Sequence, residues 1–274
     1  MTRSTGSGQG LRVSSWNVNG LRSIMRKGFV RWVNRTRPDV VALQETRIQP
    51  EDAAPLFKRL EGFHPVLTHS QRPGYSGVGT FAAWPHDELV TSLGSRRFDV
   101  EGRAHFVRYR RLWVVNTYVP NGNGKDRDNS RIPYKLAFWQ RLFDLLEPLK
   151  QRGERILVMG DFNTSPEDID LARPKQNHKT SGFTPIEREA VRAWLRQGWV
   201  DTFRHYQKGP GHYSWWSQRY GVREKNIGWR LDMVFASPGA MPFLRGAFIE
   251  HQVKGSDHAP VGVTLDPAVL GPRA

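Results

Sequence analysis

An acid and an amide lie two residues apart in residues 155–166, RILVMGDFNTSP. Residues 156–159 form a continuous apolar run, which is typical of a strand that is covered on both faces. The run ends at Gly160, so Asp161 and Asn163 lie at the mouth of a rigid strand, where a catalytic group is held firmly. Gly, Asp and Asn are also the usual residues of turns, so this stretch alone leaves an ordinary strand-ending turn equally open.

The same arrangement, an apolar strand followed by polar side chains, recurs along the chain. Together with Asp161 and Asn163, the groups at predicted strand ends are Asn17, Asn19, Glu45, Tyr118, Asp232, Asp257 and His258. If the strands pack side by side, these ends meet at one edge of the fold. A set of nine such groups is difficult to explain as turn chemistry, and it indicates an active site.

The oxygens of this set are hard ligands. The sequence has no Cys, which excludes disulfides, thiolate catalysis and thiolate zinc sites. One glutamate with amides and water suits Mg²⁺, which keeps much of its hydration shell in proteins. A hard metal ion beside carboxylates indicates phosphodiester hydrolysis, since that reaction needs an activated water, a base and groups that stabilise a charged transition state.

The charge of the chain indicates the partner. The 274 residues carry a formal net charge of +15, which predicts a polyanion as the partner. Arginine suits phosphate in particular, because its planar fork donates two hydrogen bonds at once. No apolar run approaches the ~20 residues that a membrane helix needs, so we expect no membrane association. The absence of Cys is compatible with a cytoplasmic location, associated with the nucleoid if the source is bacterial.

The elements that must hold these groups follow from periodicity. We predict strands at residues 11–16, 39–43, 156–159 and 227–235, a mainly antiparallel β region at 63–119, and helices at 21–33, 51–60 and 185–197, with a long helix whose apolar stripe runs through 136–149. Pro148 should end or kink the long helix. Residues 121–129 and 169–182 read as polar loops. We expect a disordered leader at 1–10, one catalytic domain at 11–266 and a tail at 267–274.

Seven motifs together are specific for one family. They are WNVNGLR (16–22), LQET (43–46), GYSGVG (74–79), YVPN (118–121), GDFN (160–163), NIGWRLD (226–232) and SDHAP (256–260). With these motifs in this order, the chain resembles the exonuclease III and apurinic/apyrimidinic endonuclease family of the exonuclease–endonuclease–phosphatase superfamily. The resemblance implies a four-layered α/β sandwich, in which helices flank two mixed, mainly antiparallel sheets.

The resemblance also implies roles for single residues. The catalytic residues would be Tyr118, Asp161, Asn163, Asp232 and His258, and the metal ligands Asn17, Glu45, Asp161, Asn163 and Asp257. The DNA-binding residues would be Arg22, Arg47, Tyr75, Asn121, Asn177, Arg219 and Asn226, and an abasic pocket would be formed by Trp215, Trp229 and Leu231. The chemistry of imidazole gives the same pairing of His258 with Asp232, because an acid must fix one ring nitrogen. Position 19 is Asn where some relatives have Asp, so one or two metal ions stay open, as does the choice of Asp161 or His258 as the base.

The expected activity is Mg²⁺-dependent hydrolysis of the phosphodiester 5′ to an abasic site, with Mn²⁺ as a substitute ion. Exonuclease activity from the 3′ end and 3′-phosphatase activity use the same chemistry and belong to the same expectation. The partner would be double-stranded DNA with abasic sites or blocked 3′ ends, bound by a monomer. Two alternatives stay open, namely a phosphatase or phosphodiesterase of the same superfamily with another substrate, and an inactive nucleic-acid-binding relative.

Overall fold

The computed structural model describes residues 10–272. The leader expected at residues 1–10 lies outside this range except for its last residue. The twelve strands of the described part are β1 (Leu11–Asn17), β2 (Val40–Gln44), β3 (His64–Thr68), β4 (Val78–Ala82), β5 (Glu88–Val90), β6 (Ala104–Tyr109), β7 (Leu112–Tyr118), β8 (Arg155–Asp161), β9 (Val200–Asp201), β10 (Asp232–Ala236), β11 (Leu244–Ile249) and β12 (Val261–Leu265).

Helices connect these strands and cover the sheets. The α-helices are α1 (Leu21–Arg26), α2 (Phe29–Thr36), α3 (Pro50–Phe57), α4 (Arg96–Asp99), α5 (Ile132–Gln151), α6 (Pro174–Asn177), α7 (Pro185–Arg196) and α8 (Thr202–Tyr206). Short 3₁₀ helices occupy Asp168–Asp170, Met241–Phe243 and Pro267–Leu270. None of the helices in residues 10–272 combines the length and apolarity that a membrane crossing requires.

The strands form two six-stranded sheets of matching design. The first has the order β11-β12-β1-β2-β4-β3 and the second the order β5-β6-β7-β8-β10-β9. Each sheet contains one parallel pair, β1 with β2 and β7 with β8, and its other pairs are antiparallel. The two parallel pairs lie at the centres of their sheets. Asn17 at the end of β1 donates to Asp161 at the end of β8, so the carboxyl ends of both pairs lie at the same edge of the sandwich.

Three clusters of buried apolar side chains lie between the layers of the sandwich. One core lies between the sheets and contains Val13, Val114, Leu157 and Val263 among others. A second core packs α5 and α7 on the second sheet, and a third packs α1, α2 and α3 on the first. The four-layered α/β sandwich with two mixed, mainly antiparallel sheets is therefore confirmed.

Some predicted elements differ from those observed. The single helix expected over residues 21–33 is two helices, because Gly28 takes φ 104° in the left-handed region and redirects the chain between α1 and α2. Helix α5 continues past Pro148 and ends at Gln151. The strand expected at 227–235 begins only at Asp232, and Trp229 before it forms isolated bridges with Leu171 and Trp215.

The buried stripe of α5 also differs from the predicted one. Its buried residues are Lys135, Phe138, Trp139, Leu142 and Leu146, so a lysine takes part in the stripe. The loop expected at residues 169–182 contains the short helix α6. The boundary of the catalytic domain at residue 266 stays a prediction, and beyond it Val269 and Leu270 are packed in the core between the sheets.

Candidate active site

The ends of five strands bring the predicted groups together. In the parallel pair of β1 and β2, Asn17 lies beside Gln44, so Glu45 follows at the same edge. In the parallel pair of β7 and β8, Tyr118 lies beside Asp161. Strand β10 runs antiparallel to β8, and its first residue, Asp232, lies opposite Asp161. Asn17 and Glu45 of the first sheet contact Asp161 and Tyr118 of the second, so the expectation that these groups meet at one edge is confirmed.

A cavity of about 270 Å³ opens at this edge. Its lining combines acids, amides, hydroxyls and an apolar wall. The residues are Asn19, Glu45, Arg47, Tyr118, Asn121, Asn123, Asp161, Asn163, Thr180, Ser181, Trp215, Trp229, Leu231, Asp257 and His258. Asn17 and Asp232 are buried directly behind this lining, where each contacts a lining residue.

Asp161, His258 and Asp232 form a buried chain of acid, imidazole and acid. The Nδ1 atom of His258 lies 2.8 Å from Oδ2 of Asp232, and its Nε2 atom lies 3.8 Å from Oδ2 of Asp161. Asn17 donates from Nδ2 to the same Asp161 oxygen at 2.9 Å. The pairing of His258 with Asp232 that the sequence predicted is present, and Asp161 lies on the other side of the ring.

The protonation states of His258 and Asp161 follow from the burial and the charges around them. Burial alone would lower the pKa of His258, but the carboxylates of Asp232 and Asp161 outweigh it and raise the pKa of the imidazole to about 10. Burial raises the pKa of Asp161, and the charge of His258 offsets only part of this effect. At neutral pH His258 is therefore a cation and donor, while the pKa of Asp161, raised to about 7, makes this carboxyl group far more basic than an ordinary one.

Tyr118 and Arg47 occupy the two oxygens of Glu45. The Tyr118 hydroxyl donates to Oε1, and Arg47 donates from a terminal nitrogen to Oε2 at 2.6 Å. Burial, followed by the charge of Glu45, raises the pKa of Tyr118 well above its usual value. Because the hydroxyl stays protonated, it can act as a hydrogen-bond donor in the cavity.

Arg103 packs against Tyr118, and no pattern in the sequence predicts this contact. Its guanidinium carbon lies 4.6 Å from the centre of the Tyr118 ring, and it donates to the Tyr118 carbonyl at 3.2 Å and to the Tyr75 hydroxyl at 2.8 Å. Burial opposes the charge of Arg103, but Tyr118 and Glu101 outweigh it, and the pKa of the guanidinium is raised. Tyr75, predicted to contact DNA, therefore belongs to the support of Tyr118.

The backbone at the site is held in the left-handed region. Asn19 has φ 48°, Glu45 52°, Arg47 50° and Asn163 48°. Asparagine tolerates this region, whereas it is uncommon for Glu and Arg. Such residues persist only where the surroundings fix them, and they concentrate at functional sites.

Asn163 is fixed by contacts on all of its polar atoms. Its backbone nitrogen donates to Oδ1 of Asp161 at 2.8 Å, and its side-chain Nδ2 donates to the Val119 carbonyl at 2.9 Å. Its Oδ1 atom accepts from Asn121 at 3.1 Å. Just before these residues, β8 lies so close to β7 that only glycine fits at position 160. A Cβ atom there would overlap the carbonyl of Thr117.

Asp257 forms the opposite rim of the cavity. It accepts from Asn19 at 2.9 Å and from the indole nitrogen of Trp215 at 3.2 Å. Burial tends to raise the pKa of Asp257, but His258 and these hydrogen bonds outweigh it, so the pKa is lowered and the group is a carboxylate. It thus adds a third negative charge to the lining.

The three residues predicted to form an abasic pocket all lie in the cavity wall. Trp215 and Trp229 exchange two backbone hydrogen bonds of 2.9 Å, and their rings lie edge to face with centroids 6.4 Å apart. Leu231 is 7% exposed and follows two residues later. The isolated bridge between Trp215 and Trp229, rather than the strand predicted at residues 227–235, brings these side chains to the cavity.

Most of the predicted DNA-binding residues lie outside the cavity. Arg22 pairs with Asp52 at 2.5 Å on the surface, and Asn177 bonds within its own loop. Asn226 accepts from Trp216 and donates to a backbone carbonyl. Arg219 is exposed in a neighbouring groove of about 630 Å³ that shares Asn19 and Asp257 with the cavity. Their contacts with DNA stay predictions.

Three residues of the cavity wall were not foreseen from the sequence. Asn123, Thr180 and Ser181 belong to the two loops that read as generic polar segments. Polar residues in a loop follow no periodic pattern. The sequence therefore cannot distinguish those that line a cavity from those that face solvent.

The donor set fits a hard divalent cation. Glu45, Asp161 and Asp257 place three carboxylates in one small cavity, and Oδ1 of Asp232 is buried without a hydrogen-bond partner. Ligand atoms of Asp161, Asp232 and His258 lie within 4.8 Å of one another. A protonated His258 has no free lone pair, however, so it is a poor ligand, and the oxygens of the acids are the better ones.

The comparisons with known proteins agree with this geometry. Residues 14–258 match the model of the endonuclease/exonuclease/phosphatase family. The exodeoxyribonuclease of Bacillus subtilis (strain 168) is 35% identical over 260 residues, which cover 93% of this chain and 100% of that protein. The DNA-(apurinic or apyrimidinic site) endonuclease of Dictyostelium discoideum is 34% identical over 262 residues, covering 93% and 71%.

A solved structure shows the same fold. The AP endonuclease from Archaeoglobus fulgidus superposes with a TM-score of 0.84 at 27% sequence identity. The match covers 93% of this chain and 99% of that one.

Proposed function

Because the chain belongs to the endonuclease/exonuclease/phosphatase family, we propose that it is a Mg²⁺-dependent DNA repair nuclease that hydrolyses the phosphodiester 5′ to an abasic site. The observation that carries this proposal is the cavity itself. Around a volume of about 270 Å³ it brings together the buried acid–imidazole–acid set, a carboxylate held by Tyr118, and an apolar wall. The names of the relatives support an activity on DNA.

The geometry supports one division of roles for the hydrolysis. Asp161 is the base: it takes a proton from the attacking water, because its raised pKa brings it nearer to neutrality than an ordinary carboxylate. His258 is held as a cation by Asp232 and donates to a phosphoryl oxygen. Tyr118 donates to the departing oxygen or to the phosphate. The water oxygen bonds to phosphorus and the bond to the 3′ oxygen of the preceding nucleotide breaks. The departing oxygen takes up a proton from solvent to become the 3′-hydroxyl, and Asp161 releases the proton that it took from the attacking water.

Glu45 is the principal ligand that we propose for the metal ion, with Asp257 and Asn19 near it. When bound, the ion polarises a phosphoryl oxygen and stabilises the leaving oxygen. Asn17 has its side chain committed to Asp161 and to the backbone of Asn19, so it acts by orienting these two groups. Mg²⁺ and Mn²⁺ both suit this oxygen-rich set.

The apolar wall supports the preference for abasic DNA. A nucleotide without a base has nothing to unstack, so extruding it from the duplex costs least. A slot between Trp215, Trp229 and Leu231 that is too narrow for a base would reject normal nucleotides by steric clash. The same catalytic groups would act on a 3′-terminal nucleotide or a 3′-phosphate, so exonuclease and phosphatase activities are part of the proposal.

The substitution Glu45→Gln tests the metal site. It should raise the Mg²⁺ concentration needed for half-maximal incision by about 10-fold or more, since one charged ligand is replaced by a neutral one. The measurement is an incision assay on a duplex with one abasic site, titrated with Mg²⁺. Glu88→Gln, which neutralises an exposed glutamate paired with Arg108, is the matched control and should titrate like the wild type. Full wild-type activity in excess chelator would refute the metal requirement.

The substitution Trp229→Ala tests the slot. We expect abasic-site incision to fall by about 10-fold more than removal of a 3′-phosphate from the same duplex, because only the first reaction needs the extruded sugar to fit the wall. Both rates should be measured on one preparation of each protein. An equal loss in both reactions would point to damaged packing around Phe183, on which Trp229 packs, and would contradict the slot.

A further inference from the structure

A buried ion pair joins two helices behind the cavity. Lys135 of α5 and Glu187 of α7 are both 0% exposed at their side chains, and Nζ lies 2.7 Å from Oε1. Burial lowers the pKa of Lys135, and the charge of Glu187 opposes this effect. Such a pair is a poor source of stability, because removing two charges from water costs about as much as their attraction returns.

Lys135 directly contacts the backbone of an active-site residue. Its Nζ donates to the carbonyl of Asn163 at 2.6 Å. Asn163 has a left-handed backbone, and its amide nitrogen binds Asp161 at 2.8 Å. The Asn163 backbone is therefore held at both ends. Asp161 accepts from its nitrogen, and the charged amine of Lys135 donates to its carbonyl.

Glu187 holds the loop that forms another part of the wall. Its Oε2 accepts from the backbone nitrogen of Gly182 at 2.8 Å and from the Thr184 hydroxyl at 2.6 Å. Its Oε1 accepts from the Ser181 hydroxyl at 3.1 Å. The contacts with Thr184 form a capping box at the start of α7, but those with Ser181 and Gly182 lie before the helix, in the segment that lines the cavity.

Glycines show how closely the loops approach this pair. A Cβ atom on Gly182 would lie 2.9 Å from the carbonyl oxygen of Asn163 and 3.5 Å from the Trp229 ring. A Cβ atom on Gly122, between the two lining asparagines of its loop, would lie 2.9 Å from Oε1 of Glu187. Three loops of the cavity wall thus pack on one ion pair.

We propose that the Lys135–Glu187 pair is a positioning unit of the active site, which sets the geometry of Asn163 and of residues 180–182 against the substrate phosphate and sugar. The inference rests on the proposed nuclease function. Neither residue reaches the cavity, so the pair acts through the groups that it holds. Partners that orient functional groups in this way typically contribute 10–100-fold to activity.

The test separates positioning from stability with two variants. Lys135→Met leaves Glu187 buried without its cation and should lower Tm by about 10 °C. The double variant Lys135→Met/Glu187→Gln has no unpaired charge and should regain most of this Tm. Rates on an abasic duplex, measured well below each Tm, should nevertheless show kcat lower by about 10–100-fold in both variants. KM should change by less than about 3-fold, since the geometry that the pair sets is required in the transition state more than in ground-state binding.

The matched control removes an ion pair from the same helix α7 at the surface. Arg196→Met/Glu189→Gln breaks an exposed pair and should leave kcat and Tm unchanged. If the buried double variant regained kcat together with Tm, the pair would have only a structural role. A double variant that failed to fold would likewise assign the pair to stability. Either result would overturn the positioning proposal while the wild type still incised DNA. A wild type without incision would instead refute the nuclease function.

Discussion

Asp161→Asn is expected to lower kcat for abasic-site incision by ~10²–10⁴-fold, the usual loss when a general base is removed. The substitution keeps the shape of the side chain, and its oxygen can still accept the backbone hydrogen bond from Asn163. An amide cannot take a proton from water at neutral pH, so the loss should be confined to the chemical step. Affinity for the duplex should change by less than about 3-fold.

Single-turnover rates and duplex affinity, measured on the same preparation, check this prediction. Asp168→Asn is the matched control, because Asp168 is an exposed acid on the chain segment that follows β8, paired with Arg188. The control should have wild-type kcat. If Asp161→Asn lost affinity and kept its turnover, Asp161 would bind the substrate rather than act as the base.

His258→Asn should also lower kcat by ~10²–10⁴-fold, for a different reason. The imidazole is a cation in the folded protein because two carboxylates surround it. Asparagine carries no charge, so the phosphoryl oxygen loses a charged donor at the moment when negative charge develops on it. The interaction belongs to the transition state, and KM should change little.

Steady-state kinetics on an abasic duplex will separate kcat from KM for this variant. His64→Asn, at an exposed position of β3, is the control and should behave like the wild type. A variant of His258 with unchanged kcat and weaker binding would assign the imidazole to ground-state recognition. That outcome would also remove the reason for the pairing of His258 with Asp232.

The positions of the proposed catalytic groups could be predicted because their signals are local. An apolar run followed by an acid or amide marks a strand end, and Asp161 and Glu45 lie at such positions. Asp232 instead begins β10, and it reaches the same edge because β10 runs antiparallel to β8. The pairing register then needs only side-by-side packing to bring them together, which the two central parallel pairs provide. The family resemblance that the motifs indicated is confirmed by the family match.

The supporting groups could not be predicted because their roles arise from tertiary contacts. Lys135 precedes Phe138 and Trp139 by three and four residues, so it lies on the buried stripe of α5. A lysine at such a position normally indicates a solvated face, since lysine is rarely buried without a partner. Its partner Glu187 is 52 residues away along the chain, and nothing in the local pattern joins them.

The hydrogen bonds of the polar groups between the two sheets could not be predicted from the sequence either. Asn116 of β7 donates to the carbonyls of Leu43 and Gly79 and accepts from Gln44 across the sandwich. His105 of β6 lies between two threonines of the other sheet, and burial lowers its pKa to about 3, so it is neutral. These contacts fix one sheet against the other beside Glu45 and Tyr118, and they depend on a register that the sequence does not display.

The most direct test of the account is the identity of the ends produced from a duplex with a single abasic site. With Mg²⁺, the protein should cut once, 5′ to the abasic site. One product should end in a 3′-hydroxyl that a DNA polymerase extends without further treatment, and the other should begin with a 5′-deoxyribose phosphate. Excess chelator should abolish the cut. A product that cannot be extended, or an equal yield of ends in chelator, would contradict metal-dependent hydrolysis at this bond.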